Sequence, residues 1–214
     1  MSTTTQVPRK VTRRGERSIP RQAHGRTEST VEDATAVVAL HATARRALAL
    51  LRLGFGLTFL WAFFDKLLAL GFGTGRDAAT GQVDRLGPAA WIHGGSPTEG
   101  FLKFGVAPSN WFHGVFTSMA GSAWADWLFM LGLLGLGVAL TAGVGMRLAA
   151  ISGVTLYLLM WTASFPLANH PFIDEHLLGA VSVVALAATL AGDTWGLGRV
   201  WGRTGLVRRH PILR

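Results

Sequence analysis

Along most of this chain the apolar residues neither alternate nor recur at every third or fourth place; they run together. Four such runs stand out, over about 47–70, 124–144, 148–166 and 172–191. An α-helix crosses the hydrocarbon core of a bilayer in about 20 apolar residues, so the first three runs predict membrane spans. The fourth is 20 residues from Phe172 to Ala191, but its uncharged part, Leu177 to Ala191, is only 15. Asp174, Glu175 and His176 therefore stand at the mouth of a short span. Gly145-Met146-Arg147 between the second and third runs leaves room only for an antiparallel hairpin. Ala139 and Gly143 lie four apart in the second run, as close helix contact in lipid requires.

Residues 71 to 123 form a long connection of mixed polarity. Ser96-Pro97-Thr98-Glu99 reads as an N-cap, a proline at the first helical position and a capping-box glutamate, predicting a short helix over 98–104. A second is expected from near Ser109, because Trp111, Phe112, Val115, Phe116 and Met119 recur at helical spacing. Both are expected to lie at the membrane surface with their aromatic rings at headgroup level.

Half of the 214 residues are hydrophobic and 15% charged, which suits an integral membrane protein better than a soluble domain. The chain has no cysteine, which excludes disulfides, Cys-ligated metal and thiol catalysis within it. A net charge of +8 raises the question of nucleic acid. The arginines, however, crowd the two ends and leave the apolar middle nearly bare, the positive-inside pattern rather than a nucleic-acid groove. Lys10, Arg13, Arg14, Arg17, Arg21 and Arg26 mark 1–43 as a basic cytoplasmic tail, disordered over at least the first 30 residues, with a short helix at 31–41. Arg13-Arg14 resembles a twin-arginine signal, but the apolar run that follows starts only at Ala47 and is too long. Arg199, Arg203, Arg208, Arg209 and Arg214 mark the other end, with 202–214 a second basic tail. Arg147 in the short hairpin falls on that same side. The expected fold is all-α: a four-helix bundle over 44–201 in the inner or plasma membrane, both termini cytoplasmic, with an outer loop carrying interfacial helices.

Polar chemistry then concentrates at the outer face, where Asp65, Lys66, His93, Lys103, His113, Asp126, Asn169, His170, Asp174, Glu175 and His176 fall. Ionisable groups at membrane depth are costly and mark sites by default. The central third of each span carries no ionisable residue, which argues against a pump, a channel or a voltage sensor. Asp65 and Lys66 are adjacent, point about 100° apart and each need another partner. Glu175 shares a helical face with Gly179 and Ser182, and Lys66 lies at the right depth to meet it. His176 suits a proton acceptor, since imidazole titrates near neutral pH. The blander alternative is a helix start: Pro171 at the first helical position, Asn169 or His170 at the cap, and acids favouring the dipole. Arg52, about one turn inside the first span, is close enough to the edge to snorkel. Trp161 and Tyr157 serve equally as packing residues or as a stacking surface for a ring.

The segments Leu51-Arg52-Leu53-Gly54, Phe63-Phe64-Asp65-Lys66-Leu67, Trp91-Ile92-His93-Gly94-Gly95-Ser96-Pro97, Phe101-Leu102-Lys103-Phe104-Gly105 and Asp126-Trp127-Leu128-Phe129-Met130 carry a resemblance. With Asn169-His170-Pro171-Phe172-Ile173-Asp174-Glu175-His176 and Trp195-Gly196-Leu197-Gly198-Arg199 they resemble the DoxX/DoxD membrane proteins from about residue 45 to 201. The DoxD branch is similar to the small subunit of thiosulfate:quinone oxidoreductase. The resemblance implies a membrane subunit of a quinone-linked oxidoreductase that oxidises a small sulfur anion, with quinone as electron acceptor and a second oxidoreductase subunit as partner. It makes Asp65, Lys66, Asp174, Glu175 and His176 the expected catalytic group. Lys66, Lys103, His93, His170 and Asn169 would receive the anion, and Trp161, Tyr157 and Arg52 the quinone; no metal site is expected. The alternatives are a non-catalytic scaffold or assembly subunit and a small transporter; self-association is left open.

Overall fold

The computed structural model describes residues 1–3 and 23–214, with the side chains of 23–40 outside that description. It divides into two units, Met1–His41 and Ala42–Arg214, and the hydrophobic core lies in the second. Among the described residues every regular element is helical, apart from a single antiparallel bridge between Arg76 and Val83. The principal helices are α1 (Ala23–Leu68), α2 (His113–Met119), α3 (Ala123–Ala142), α4 (Met146–Ala163) and α5 (Glu175–Ala188). Two one-turn helices, α6 (Gly198–Gly202) and α7 (Gly205–Arg209), follow. The disorder expected over the first 30 residues falls largely on 4–22, outside the described residues. From Ala23 the backbone is helical, and the short helix expected at 31–41 is part of α1, in keeping with the alanine-rich sequence from Ala34 onward.

Three helical stretches are long and apolar enough to cross a membrane: His41–Leu68, Ala123–Ala142 and Met146–Ala163. The fourth apolar run gives a helix of only 14 residues, about 21 Å long at 1.5 Å per residue. Phe59 and Phe63 of α1, Met130, Leu133, Leu136 and Leu140 of α3, Met146 and Ala149 of α4, and Val183 and Leu186 of α5 make one buried cluster. In α3 those positions recur every three or four residues, so one face of the helix is buried. The opposite faces are apolar as well, with Leu57, Leu131, Ile151 and Val181 all more than half exposed. Apolar residues on both faces are what a lipid solvent selects.

Small residues permit the close approaches, though not those the spacing predicted. Gly143 ends α3 in the left-handed conformation, φ 73°, and its close contact is with the turn after α5, where a Cβ would lie 2.8 Å from Gly192 Cα. Close contact with α1 falls instead at Gly137, where a Cβ would lie 2.7 Å from the Leu60 side chain.

The connection from Ala69 to Ser122 closes one end of the helices, here called the loop face. Three buried polar side chains anchor it. Asp65, at the end of α1, accepts hydrogen bonds from the backbone N–H groups of Phe72 (3.0 Å) and Gly73 (2.8 Å). Asp126, in the first turn of α3, accepts from Ser96 Oγ (2.8 Å), Thr98 Oγ1 (2.6 Å) and Thr98 N–H (3.2 Å), all at one oxygen. Asn110 donates to the carbonyls of Thr162, Ala163 and Phe165 at the end of α4, at 2.8, 3.2 and 2.9 Å, and accepts from Phe112 N–H. Buried backbone groups need partners, and a loop lying over helix ends finds them here.

The capping motif is half realised: Ser96 Oγ accepts from Glu99 N–H at 3.1 Å, while Glu99 reaches forward to Lys103. The turn that follows is π-helical over Phe101–Gly105, and α2 starts at His113 rather than near Ser109. At the opposite, C-terminal face, 202–214 is no plain tail. It folds into short helices that return to the start of α4, where Arg147 N–H donates to Arg214 O at 2.9 Å and its guanidinium to Pro211 O at 2.9 Å.

Candidate functional site

The start of α5 differs from its sequence reading. Pro171 lies outside the helix; Asp174 is the N-cap, its Oδ1 accepting from Leu177 N–H at 3.0 Å. His170 stabilises the preceding turn, its Nδ1 accepting from the N–H groups of Phe172 (3.1 Å) and Ile173 (3.0 Å), which puts its proton on Nε2. The second carboxylate oxygen of Asp174 lies 2.7 Å from His176 Nδ1, and both side chains are largely buried, at 11% and 14% exposure. Burial alone would push the Asp174 carboxyl up. The hydrogen bonds from His176 and from Leu177 N–H outweigh it and hold the group below the ordinary carboxylate range.

That pair has defined chemistry. With Asp174 accepting from Nδ1–H, the neutral imidazole keeps its lone pair on Nε2 and can take up a proton there, and the carboxylate stabilises the cation formed. Next to it stands Tyr157, the single tyrosine of the chain, with ring centroids 6.5 Å apart. Tyr157 packs edge-on to Phe55 and tilted against Phe59 of α1, at 6.4 and 5.6 Å. Gly179 gives α5 the room to pass it, since a Cβ there would lie 2.5 Å from the tyrosine ring. Among the described residues the Tyr157 hydroxyl makes no hydrogen bond, and the residue is half-buried against the core cluster.

The wider constellation expected at this face is not assembled. Glu175 is exposed and belongs to no ion pair among the described residues; these are Lys103–Glu99, Asp174–His176 and Arg214–Asp193. The expected Glu175–Lys66 ion pair is not formed. Lys66 is half-buried, with Nζ 5.9 Å from the centre of the Phe129 ring. Asp65 is fully engaged with the loop backbone. Lys103 is exposed and pairs with Glu99 one turn away at 3.3 Å, a surface bridge worth only about 0.3–0.5 kcal/mol. His93 is exposed with Nδ1 3.4 Å from Gly87 O, and Asn169 is exposed. Of the candidate anion ligands only Lys66 is part-buried; His170 is exposed and occupied with its own turn.

Two of the residues expected to meet quinone have structural partners instead. Trp161 donates its Nε1–H to Phe172 O at 3.0 Å, pinning the α4–α5 turn. Arg52 does not snorkel. It is completely buried at the C-terminal face, and its guanidinium donates to the carbonyls of Leu140, Thr141 (2.8 Å), Thr194 (3.3 Å) and Trp195 (3.0 Å). Leu140 and Thr141 are in the last turn of α3, whose carbonyls have no helical partner and carry the negative end of the dipole. The two terminal nitrogens of this buried cation are held by backbone oxygen alone, while its Nε–H has no partner, and Arg52 lies far from the residues of the loop face.

The sequence reading left Asp126 and Asn110 out of its site, and both turn out to anchor the loop. Asp126 carried a signal, a lone carboxylate opening an apolar helix with Ser96 and Thr98 waiting for an acceptor. Among the described residues no group of three or more His, Asp or Glu side chains is placed to hold a metal ion. Comparison with protein-family models, with curated proteins and with solved structures finds no match to this chain.

Proposed function

We propose that this chain is a multi-pass membrane protein, a four-helix bundle with the loop face outward and both termini cytoplasmic. In this reading it is the membrane subunit of a quinone-linked oxidoreductase of the DoxX/DoxD kind. The observation that carries it is the Asp174–His176 pair beside the Tyr157 ring, together with the family motif that runs through Asp174 and His176. Reduction of a quinone takes two electrons and two protons. Joining two thiosulfate ions through a new S–S bond releases the two electrons. His176 would pass protons at the loop face, and Tyr157, packed between α1 and α5, would offer the quinone oxygen a hydrogen bond. Lys66 remains the best-placed cation for a sulfur anion.

The test is quinone-analogue reduction by thiosulfate in membranes containing the protein. His176→Phe is expected to lower the rate at least a hundredfold, within the usual range for a lost general acid–base group of about 10²–10⁴. Glu175→Gln is expected to leave it within about twofold, since Glu175 stands outside the pair. Wild-type membranes no faster than empty ones would sink the catalytic reading. A second reading, a scaffold subunit, is favoured by one specific observation: Asp65, Asp126 and Asn110 all serve to hold the loop. It predicts a companion protein that co-purifies undiminished with His176→Phe.

A further inference from the structure

At the C-terminal face the start of the first span meets the turn after α5, and a cleft of about 270 Å³ opens between them. Ala42, Arg45 and Arg46 line one wall and Asp193, Thr194, Trp195 and Arg199 the other. Three guanidinium groups thus share a cavity smaller than a drug-sized pocket but roomy beside a single water. Its one carboxylate is already taken, because Asp193 accepts from Arg214 at 3.2 Å. Among the described residues Arg45, Arg46 and Arg199 have no carboxylate partner. Among the described residues the cavity therefore carries three arginines against the single carboxylate of Asp193, an excess of positive charge.

One lining residue is a large apolar side chain, Trp195, 57% exposed, and the exposed Leu197 and Val200 flank this wall in sequence. On the other side Arg45 and Arg46 are followed directly by the apolar stretch of α1. A cleft at that level has cationic walls toward water and greasy shoulders toward the helices. Arg52 fixes its floor by holding the Thr194 and Trp195 carbonyls, so the wall bearing Trp195 is rigidly placed.

We propose that this cleft binds the phosphate group of an anionic phospholipid, with Arg45, Arg46 and Arg199 around the phosphate and the acyl chains along the exposed face of α1. Guanidinium matches phosphate oxygen in bidentate geometry, and basic recesses beside spanning helices hold anionic headgroups. These exposed apolar side chains favour a lipid over a free anion, which has no use for them. The inference rests on the membrane reading proposed above but not on any catalytic role.

The experiment uses the full chain, purified in non-ionic detergent, with native mass spectrometry and titration of phosphatidylglycerol, phosphatidylcholine or inorganic phosphate. Phosphatidylglycerol is expected to bind stoichiometrically and phosphatidylcholine not to. The double variant R45Q/R199Q should weaken phosphatidylglycerol binding about thirtyfold, taking the contribution usual for two arginines at an anionic surface. Arg209→Gln, which removes an exposed arginine outside the cleft, should change nothing. Equal weakening by Arg209→Gln would overturn the site in favour of diffuse attraction, and inorganic phosphate binding as tightly as the lipid would overturn the lipid assignment. R45K/R199K, which keeps the charge, guards against misfolding: a loss as large as that of the glutamine variant, with unfolding temperature unchanged, supports bidentate recognition, and full retention with R45Q/R199Q equally retained overturns the proposal. Alkaline carbonate extraction of the membranes separates the two levels. Release of the protein defeats the membrane reading itself, whereas retention without lipid discrimination defeats only the cleft.

Discussion

Replacing Arg52 tests whether a buried cation can be held by backbone oxygen alone. Its four carbonyl acceptors belong to two segments far apart in sequence, the end of α3 and the Thr194–Trp195 turn. A hydrogen bond to a charged group contributes about 1.5–3 kcal/mol net, which summed over four would reach the whole stability of a typical protein. The sum is not realised, because removing the guanidinium also removes the cost of burying it. The orphaned carbonyls remain, and breaking a buried charged contact of this kind costs about 3–5 kcal/mol. Arg52→Met, nearly the same length and apolar, is therefore expected to destabilise by about that amount. Arg52→Lys keeps the charge but cannot fork between two segments, and should lose about half as much. Unfolding in detergent micelles followed by tryptophan fluorescence reads both, with Trp195 and Trp201 close to the perturbed region. A side chain that merely snorkelled to water would make Arg52→Met neutral or stabilising. Stability within about 1 kcal/mol of wild type for Arg52→Met would refute the clamp.

Asp126→Ala leaves the buried Thr98 N–H without an acceptor and should cost about 3 kcal/mol, whereas Asp126→Asn keeps an acceptor oxygen and should cost about 1 kcal/mol; cleavage rates of the 69–122 connection by a protease rank the two. At Asn110 the polarity of the change decides the sign. Asn110→Asp sets a carboxylate against three carbonyls and should be worse than Asn110→Ala by thermal unfolding, and the reverse order would discount the amide clamp. Gly179→Ala forces a methyl into the Tyr157 ring and should destabilise by about 1–3 kcal/mol, with Tyr157→Ala partly relieving it in the double variant. For Asp174, a folded-state pKa below the unfolded one means that its contribution is present above about pH 3.9 and lost as pH falls through the folded value. Unfolding temperatures between pH 6 and 3 should fall more steeply for the wild type than for Asp174→Asn.

The apolar runs by themselves located α3, α4 and α5 and the end of α1 to within a few residues, although α1 starts well before its run, at Ala23. The antiparallel hairpin at Gly145-Met146-Arg147 followed from its length alone. The anchoring of polar groups was decided in three dimensions. Asp65 and Lys66 look alike in a sequence, yet one caps a loop and the other rests on an aromatic ring, according to which backbone folds over each. Glu175 and Asp174 are neighbours with opposite fates, since the helix begins at one and turns the other toward water. Arg52 reads as a cation near a membrane edge, and only the fold brings the carbonyls of residues 140, 141, 194 and 195 to its guanidinium. Hydrophobic pattern is a local property of the chain, whereas the partners of the buried charges lie from 7 residues away for Asp65 to 143 for Arg52, and no periodicity records that distance.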